Sequence, residues 1–226
     1  MAILKDYQNA RKGFPMDLEK KILTRKLLLE RYVRVVDDVL PLEDCNTLID
    51  LCESTITDKH RMERRGYPNW HQVNMNTDTP DHPLFNKLTI LFQNTVDAYA
   101  EDLGDAGTYI NEPEYLESLR IKRYLANGTD RFDTHVDSSK VDTCKRELAM
   151  FIYLSTNEDE GWTEFDPDLS SSWKIEPKAG RLVIFPPWWM FPHRGWPVTK
   201  KNKYMLSSYL HVPPPWDPLS QAEKKR

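Results

Sequence analysis

The sequence has few cysteines and lacks any segment typical of export or membrane insertion. It contains three cysteines, Cys45, Cys52 and Cys144, and this odd number forms no cluster of the kind that binds a metal. The N-terminal residues become charged before the apolar core of a signal peptide could form, and no run is apolar enough to span a bilayer. We therefore predict a cytoplasmic protein without membrane association, in which Cys45 and Cys52 are buried as small apolar residues.

The sequence also lacks a surplus of positive charge. Lysine and arginine number 31 against 35 aspartate and glutamate residues, which gives a formal net charge of −4. Because proteins that bind nucleic acid are usually basic, a nucleic-acid partner is not expected. With 226 residues, 39% of them hydrophobic, and no internal repeat, the chain is predicted to form a single domain over 1–226. The composition indicates no particular oligomeric state.

The pattern of apolar residues divides the chain into a helical part and a part rich in strands. Residues 1–115 are predicted to be mostly helical, with one helix beginning near residue 42 and another over 84–101. From 116 to 212, short apolar strands alternate with turns, which favours an antiparallel barrel or jelly roll. Residues 213–226 are predicted to be a polar tail.

Residues 57–80 interrupt the helical part with a polar and irregular stretch. A long segment without secondary structure inside a compact domain is usually functional or mobile. Two interpretations stay open for it: a surface loop, or a lid that closes over a substrate.

The strongest sign of chemistry is the stretch from Arg123 to Asp137, which ends in a His-x-Asp pair. Because side chains alternate along a strand, His135 and Asp137 point to the same face and can bind one ion together. His193, in a turn rich in proline and tryptophan, would complete the set of two histidines and one carboxylate that holds Fe(II) in non-haem oxygenases. A turn histidine bonded to the backbone is the alternative for His193.

Lys203 follows His193 by ten residues and opens an apolar strand. A dianionic cosubstrate that chelates the metal at one end needs a buried cation for its far carboxylate, and Lys203 could reach into the same barrel mouth. The alternative is a solvated charge, as expected for the neighbouring Lys200 and Lys201.

Over residues 30–212 the chain resembles the 2-oxoglutarate- and Fe(II)-dependent dioxygenases, specifically their prolyl 4-hydroxylase branch. The resemblance depends on four motifs in the same order: Arg123, Tyr124, Gly128, His135 and Asp137; Gly161-Trp162-Thr163-Glu164-Phe165; the strand Gly180–Phe185; and Asn202-Lys203-Tyr204 with Leu210-His211. The chain departs from the family pattern at Glu160, where a glycine usually stands.

This resemblance implies a double-stranded β-helix core, a jelly roll of cupin type, with the N-terminal helices packed on one side. It implies Fe(II) on His135, Asp137 and His193, and the C5 carboxylate of 2-oxoglutarate on Lys203. The further site residues that it implies are Tyr153 and Tyr124 at the cosubstrate and Arg146 and Trp189, beside Trp188, at the substrate. The alternatives are buried tyrosines with satisfied hydroxyls, a solvated arginine and packing tryptophans.

The function implied by the resemblance is hydroxylation of an unactivated C–H bond with 2-oxoglutarate and O2 as cosubstrates, which releases succinate and CO2. Ascorbate would be an accessory reductant. A prolyl residue in a peptide or protein is the preferred substrate, and a free amino acid or other small molecule is the alternative. A cupin-like binding module without catalysis is a remote third hypothesis, because a module of that kind would not need the complete set of His135, Asp137, His193 and Lys203.

Overall fold

This computed structural model describes residues 25–64, 67–167 and 172–212, which form a mainly β fold with flanking helices. The helices are α1 (Arg25–Tyr32), α2 (Leu42–Thr55), α3 (Met75–Asp78) and α4 (Leu84–Leu103), with 3-10 turns at Asp58–His60 and Gly104–Tyr109. The strands are β1 (Arg34–Val36), β2 (Arg61–Arg64), β3 (Tyr67–Asn74), β4 (Arg120–Tyr124), β5 (Phe132–His135), β6 (Arg146–Tyr153), β7 (Thr163–Phe165), β8 (Trp173–Ile175), β9 (Leu182–Phe185), β10 (His193–Gly195) and β11 (Lys203–His211). The N-terminal lead-in up to residue 24 and the tail at 213–226 lie outside the described residues.

The strands form two antiparallel sheets. The larger sheet has seven strands in the order β1-β9-β6-β11-β4-β3-β2, and the smaller has four in the order β5-β10-β7-β8. Strand β11 lies between β4 and β6, with Lys203 opposite Tyr124 and Met205 opposite Tyr153. This arrangement confirms the predicted jelly-roll fold class, with helices beside a β core.

Strand β6 shows why the core has two parts. Its side chains alternate between the two faces of the larger sheet, as strand geometry requires. Leu148, Met150 and Ile152 join the outer cluster, which includes side chains of α2 and α4, whereas Ala149 and Phe151 join the inner cluster, which includes side chains of the smaller sheet. The continuous apolar run in this strand is therefore that of a strand covered on both faces.

The two long helices cover the outer face of the larger sheet. Pro41 precedes α2 and two acidic residues lie in its first turn, both typical of a helix N-terminus. Helix α2 buries Cys45 and Cys52, each 0% exposed, and burial raises the pKa of the Cys52 thiol to about 12. These two cysteines are therefore inert packing residues, as predicted. In the described ranges, no helix is long and apolar enough to cross a membrane.

The structure corrects the prediction of an irregular loop at 57–80. Strands β2 and β3 and helix α3 occupy this stretch, and β3 pairs with β4 at the edge of the larger sheet. Val73 joins the outer cluster and Trp70 the inner cluster. The alternation is hard to recognise because Gln72, on the inner face of the strand, borders a cavity rather than the core. That this segment acts as a lid stays a prediction.

Candidate active site

The three predicted metal ligands come together where β5 and β10 pair. His193 is opposite His135 in the register of these strands, and Asp137 follows β5 by two residues. Nε2 of His135 lies 3.4 Å from Oδ1 of Asp137, and Nε2 of His193 lies 3.4 Å from Oδ2. The three ligand atoms lie within 4.8 Å of one another. His193 opens a short strand, rather than lying in a turn as the sequence suggested.

Hydrogen bonds orient both imidazoles so that the same nitrogen faces the centre. Nδ1 of His135 lies 2.8 Å from the carbonyl oxygen of Asp133, and Nδ1 of His193 lies 3.0 Å from that of Phe191. Because a carbonyl oxygen only accepts, each Nδ1 must carry the proton and each Nε2 must present its lone pair. The backbone bond considered as the alternative for His193 is therefore compatible with metal binding.

The electrostatics favour the protonation states that a divalent cation requires. Burial, together with the nearby His135, lowers the pKa of His193 to about 4, so its imidazole is neutral at pH 7. Burial alone would raise the pKa of Asp137, but the neighbouring His193 and His135 and the positive charge of Lys122 outweigh it and lower that pKa. Two neutral imidazoles and one carboxylate fit Fe(II).

Two connected cavities border this centre. The inner cavity has a volume of about 50 Å³ and the outer cavity one of about 420 Å³. Both are lined by His135 and Asp137, and the two linings also share Lys122, Phe132 and Tyr209. The candidate metal centre therefore lies where the inner cavity meets the outer one.

Lys203 lies at the closed end of the inner cavity and is only 1% exposed. Its Nζ donates to the carbonyl oxygens of Gly161, at 3.0 Å, and Trp196, at 3.4 Å, and lies 4.6 Å from the ring centre of Tyr124. Burial lowers the pKa of Lys203 to about 7, opposed by the charge of Glu160. In the described ranges no carboxylate forms an ion pair with this Nζ, so the site can accept the carboxylate of a ligand.

Gly161 and Glu160 explain how the chain holds Lys203. Gly161 has φ +70°, and a Cβ there would lie 2.7 Å from Val198 Cγ1 and 3.2 Å from Lys203 Cδ. Only glycine leaves room for the lysine stem. The carboxylate of Glu160 accepts hydrogen bonds from the backbone N–H and hydroxyl of Thr199, at 2.7 and 3.0 Å. The departure from the family pattern at Glu160 therefore ties down the turn that precedes Lys203.

The two tyrosines predicted at the cosubstrate have different positions. Tyr124 lines the inner cavity beside Lys203. Tyr153 is 0% exposed and its hydroxyl donates to Thr163 Oγ1 at 2.6 Å, and it is Thr163 that lines the cavity. The phenol of Tyr153 therefore holds the hydroxyl of Thr163 in place, and a role of Tyr153 at the cosubstrate stays a prediction.

The residues predicted to face the substrate also differ in their positions relative to the two cavities. Arg146 lines the outer cavity, where Glu117 accepts from its Nε at 2.6 Å and its guanidinium lies 3.7 Å from the ring centre of Tyr209. It is a fixed residue rather than a solvated one. Trp189 is 77% exposed and, with Trp188, lines neither cavity, so its predicted place at the substrate is not supported.

Sequence reasoning missed three side chains that border the centre. Lys122 precedes Tyr124 by two residues and therefore shares its face of β4, and Tyr209 shares the face of Lys203 on β11. The Tyr209 hydroxyl donates to Asp137 Oδ1 at 3.0 Å. Thr163 was noted only as part of a motif. Counting in steps of two from the motif residues would have found Lys122 and Tyr209.

Comparison with known proteins agrees with this geometry. Residues 119–211 match the model of the 2OG-Fe(II) oxygenase superfamily. The resemblance to the 2-oxoglutarate- and Fe(II)-dependent oxygenases is therefore confirmed. Proteins of this superfamily use Fe(II), 2-oxoglutarate and O2. A comparison with curated proteins gives no match.

Several solved structures share the fold of this oxygenase-like chain, each at under 25% identity. A prolyl 4-hydroxylase from Pseudomonas putida has 16% identity and a TM-score of 0.60, with 82% of this chain and 96% of the other covered. A viral collagen prolyl hydroxylase from Paramecium bursaria Chlorella virus-1 has 19% identity and a TM-score of 0.61, with 81% and 97% covered. A Trichoplax adhaerens prolyl hydroxylase, in complex with a hypoxia inducible factor peptide fragment, has 16% identity and a TM-score of 0.61, with 88% and 94% covered. The fold is therefore prolyl 4-hydroxylase-like.

Proposed function

We propose that the protein is an Fe(II)- and 2-oxoglutarate-dependent dioxygenase that hydroxylates an unactivated C–H bond. The observation that carries the proposal is that one cavity joins the His135–Asp137–His193 set to a buried lysine, Lys203, which has no carboxylate partner in the described ranges. When bound, Fe(II) with 2-oxoglutarate and O2 supplies an oxidation that releases succinate and CO2 and adds one oxygen atom to the substrate.

The residues of the chain bind, orient and exclude water. His135 and His193 would hold Fe(II) through their Nε2 atoms and Asp137 through its carboxylate, which Tyr209 keeps oriented. Lys203 would pair with the C5 carboxylate of 2-oxoglutarate, with Tyr124 and Thr163 as walls of the same cavity. The small volume of the inner cavity leaves little room for bulk water around the cosubstrate.

A prolyl residue in a peptide or protein is the substrate that we propose first. The fold likeness to prolyl 4-hydroxylases, one of them in complex with a peptide fragment, supports this choice. The outer cavity of about 420 Å³ at the candidate centre is large enough for one side chain of a peptide. A cytoplasmic location stays a prediction from the sequence.

A free amino acid or another small molecule is the second candidate. One observation favours it: the ammonium of Lys122 lines the outer cavity without an anionic partner in the described ranges, as in a site that binds a small acid.

The test is succinate formation by protein that has been loaded anaerobically with Fe(II) and then given 2-oxoglutarate and O2. We expect turnover in the wild type, stimulated by the substrate, with a mass gain of one oxygen in the product. Stimulation by peptides that contain proline would support the prolyl substrate, and stimulation only by small molecules would support the second candidate. No succinate from protein with bound iron would overturn the proposal in favour of a binding module.

A further inference from the structure

We propose that Lys122 binds a carboxylate group of the substrate at the mouth of the active site, so that the substrate is an acid. This inference rests on the proposed function and names a chemical feature of its substrate. The carboxylate could belong to a free acid or to an acidic residue beside the modified position in a peptide.

The position of Lys122 places it between the cosubstrate and the substrate. On β4, Arg120, Lys122 and Tyr124 share one face because side chains alternate along a strand. Tyr124 lines the inner cavity, Arg120 lines the outer one, and Lys122 lines both. His135 and Asp137 line the same two cavities, so Lys122 borders the candidate metal centre.

Lys122 differs from the two arginines of the outer cavity because it lacks a partner in the described ranges, and from Lys140, the other lysine of that cavity, because Lys140 is exposed to solvent. Arg120 and Arg146 both donate to the carboxylate of Glu117, at 2.6 Å in each case. The described residues include no hydrogen-bond or ion-pair partner for Nζ of Lys122, and its nearest aromatic ring centre, that of Trp70, is 6.0 Å away. Burial lowers the pKa of Lys122 to about 8, so holding this charge without a partner is costly.

The balance of charge indicates what the missing partner is. Fe(II), Asp137 and two neutral histidines sum to one positive charge, and the dianion 2-oxoglutarate with Lys203 brings the inner site to zero. Lys122 then adds one positive charge, and no carboxylate in the described ranges contacts its ammonium, although Asp142 lines the same outer cavity. A single carboxylate on the substrate would neutralise it and form a charge-assisted hydrogen bond.

The experiment compares matched acids and neutral amides on protein loaded with Zn(II) and 2-oxoglutarate, which cannot turn over. The free-acid arm uses L-proline against L-prolinamide, and the peptide arm uses proline peptides with glutamate against glutamine beside the proline. Isothermal titration calorimetry gives the affinity of each probe for the wild type, for Lys122→Met and for the matched control Lys145→Met. Lys145 is exposed and lines neither cavity.

We expect one arm to show at least about tenfold tighter binding of the acid, a preference that Lys145→Met keeps and Lys122→Met loses. The arm that shows it identifies the source of the carboxylate. Equal binding of acid and amide, no binding of either acid at 10 mM (about the weak limit of a useful substrate), or a preference that survives Lys122→Met would overturn the proposal. Thermal unfolding of Lys122→Met checks that the variant is folded.

Failure of this inference is distinguishable from failure of the proposed function. Wild-type protein that forms succinate from 2-oxoglutarate but prefers no acid retains the oxygenase proposal and loses the role of Lys122. A rise in the KM for 2-oxoglutarate in Lys122→Met, with unchanged acid preference, would instead assign Lys122 to the cosubstrate and also overturn the inference.

Discussion

The closed end of the inner cavity contains a buried cation and the mouth of the outer cavity contains half-buried ones, and the two regions hold them differently. At the closed end, two backbone carbonyl oxygens and the ring of Tyr124 contact the ammonium of Lys203 and fix its position. At the mouth, Glu117 holds Arg120 and Arg146, while Lys122 has no partner in the described ranges. We therefore expect the closed end to bind one ligand in a fixed position and the mouth to select among ligands.

The largest loss of activity is expected from a substitution at the candidate metal centre, where the two cavities meet. Asp137→Ala removes the only carboxylate of the candidate metal set, so metal affinity should fall and succinate formation should drop by at least about a thousandfold. Metal binding is measured by calorimetry with Mn(II), and turnover by succinate assay. Near-normal activity in this variant would refute the assignment of the site.

The closed end is tested by Lys203→Met, which keeps the volume of the side chain and removes its charge. We expect the KM for 2-oxoglutarate to rise about a hundredfold, because a buried carboxylate would lose its partner, while iron affinity changes little. Lys201→Met, at an exposed position, is the control. An unchanged KM would move the role to another cation.

Gly161→Ala tests whether the closed end of the inner cavity depends on the absence of a side chain at position 161. Gly128→Ala is a matched control, since φ is +71° there and +70° at Gly161, but a Cβ at Gly128 meets only Thr199 Cγ2 at 3.6 Å. We expect Gly161→Ala to lower the free energy of unfolding by about 1–3 kcal/mol more than the control, because the added Cβ crowds Val198 and Lys203. Chemical denaturation measures both, and equal losses would contradict the crowding.

Tyr209→Phe tests the boundary between the two cavities, where the Tyr209 hydroxyl contacts Asp137. The hydroxyl that orients Asp137 is lost while the ring beneath Arg146 remains. We expect about a tenfold loss of metal affinity or turnover, the usual effect of removing an outer partner of a ligand. An unchanged affinity for Mn(II), together with unchanged turnover, would show that Asp137 is oriented without this bond.

The lowered pKa of Lys203 predicts a pH dependence for the closed end of the inner cavity. Below its pKa of about 7 the ammonium is already charged, and above it the Lys203 amine must take up a proton when 2-oxoglutarate binds, so that the ion pair can form. The Kd should therefore rise with pH above 7, by at most about tenfold per pH unit for one proton. Calorimetry in buffers of different ionisation enthalpy measures the uptake. A slope that persists in Lys203→Met would assign it to another group.

The closed end could be predicted from the sequence, whereas at the mouth only Arg146 could. His135, Asp137, His193 and Lys203 stand in motifs whose spacing implies their chemistry, and the structure brings them to connected cavities. The roles of Tyr153 and Trp189 are less determined by the sequence, because Tyr153 faces the inner cluster but lies behind Thr163, and Trp189 lies on an exposed connection between strands.

The mouth depends on which strands pair, and sequence patterns carry little information on that. Residues 57–80 looked irregular because Gln72 borders the cavity, so the strand shows little alternation until its pairing with β4 is known. Sequence patterns likewise do not show that Lys122 lacks an ion-pair partner. This depends on the assembled site, in which Glu117 pairs with Arg120 and Arg146.

The central claim is that one cavity binds a metal and 2-oxoglutarate together. The most direct measurement is a calorimetric titration of 2-oxoglutarate, without O2, into Fe(II)-loaded and metal-free protein. We predict one equivalent bound by the loaded protein and at least about a hundredfold weaker binding without metal. Equal affinity with and without iron, or no binding to the loaded protein, would contradict the account.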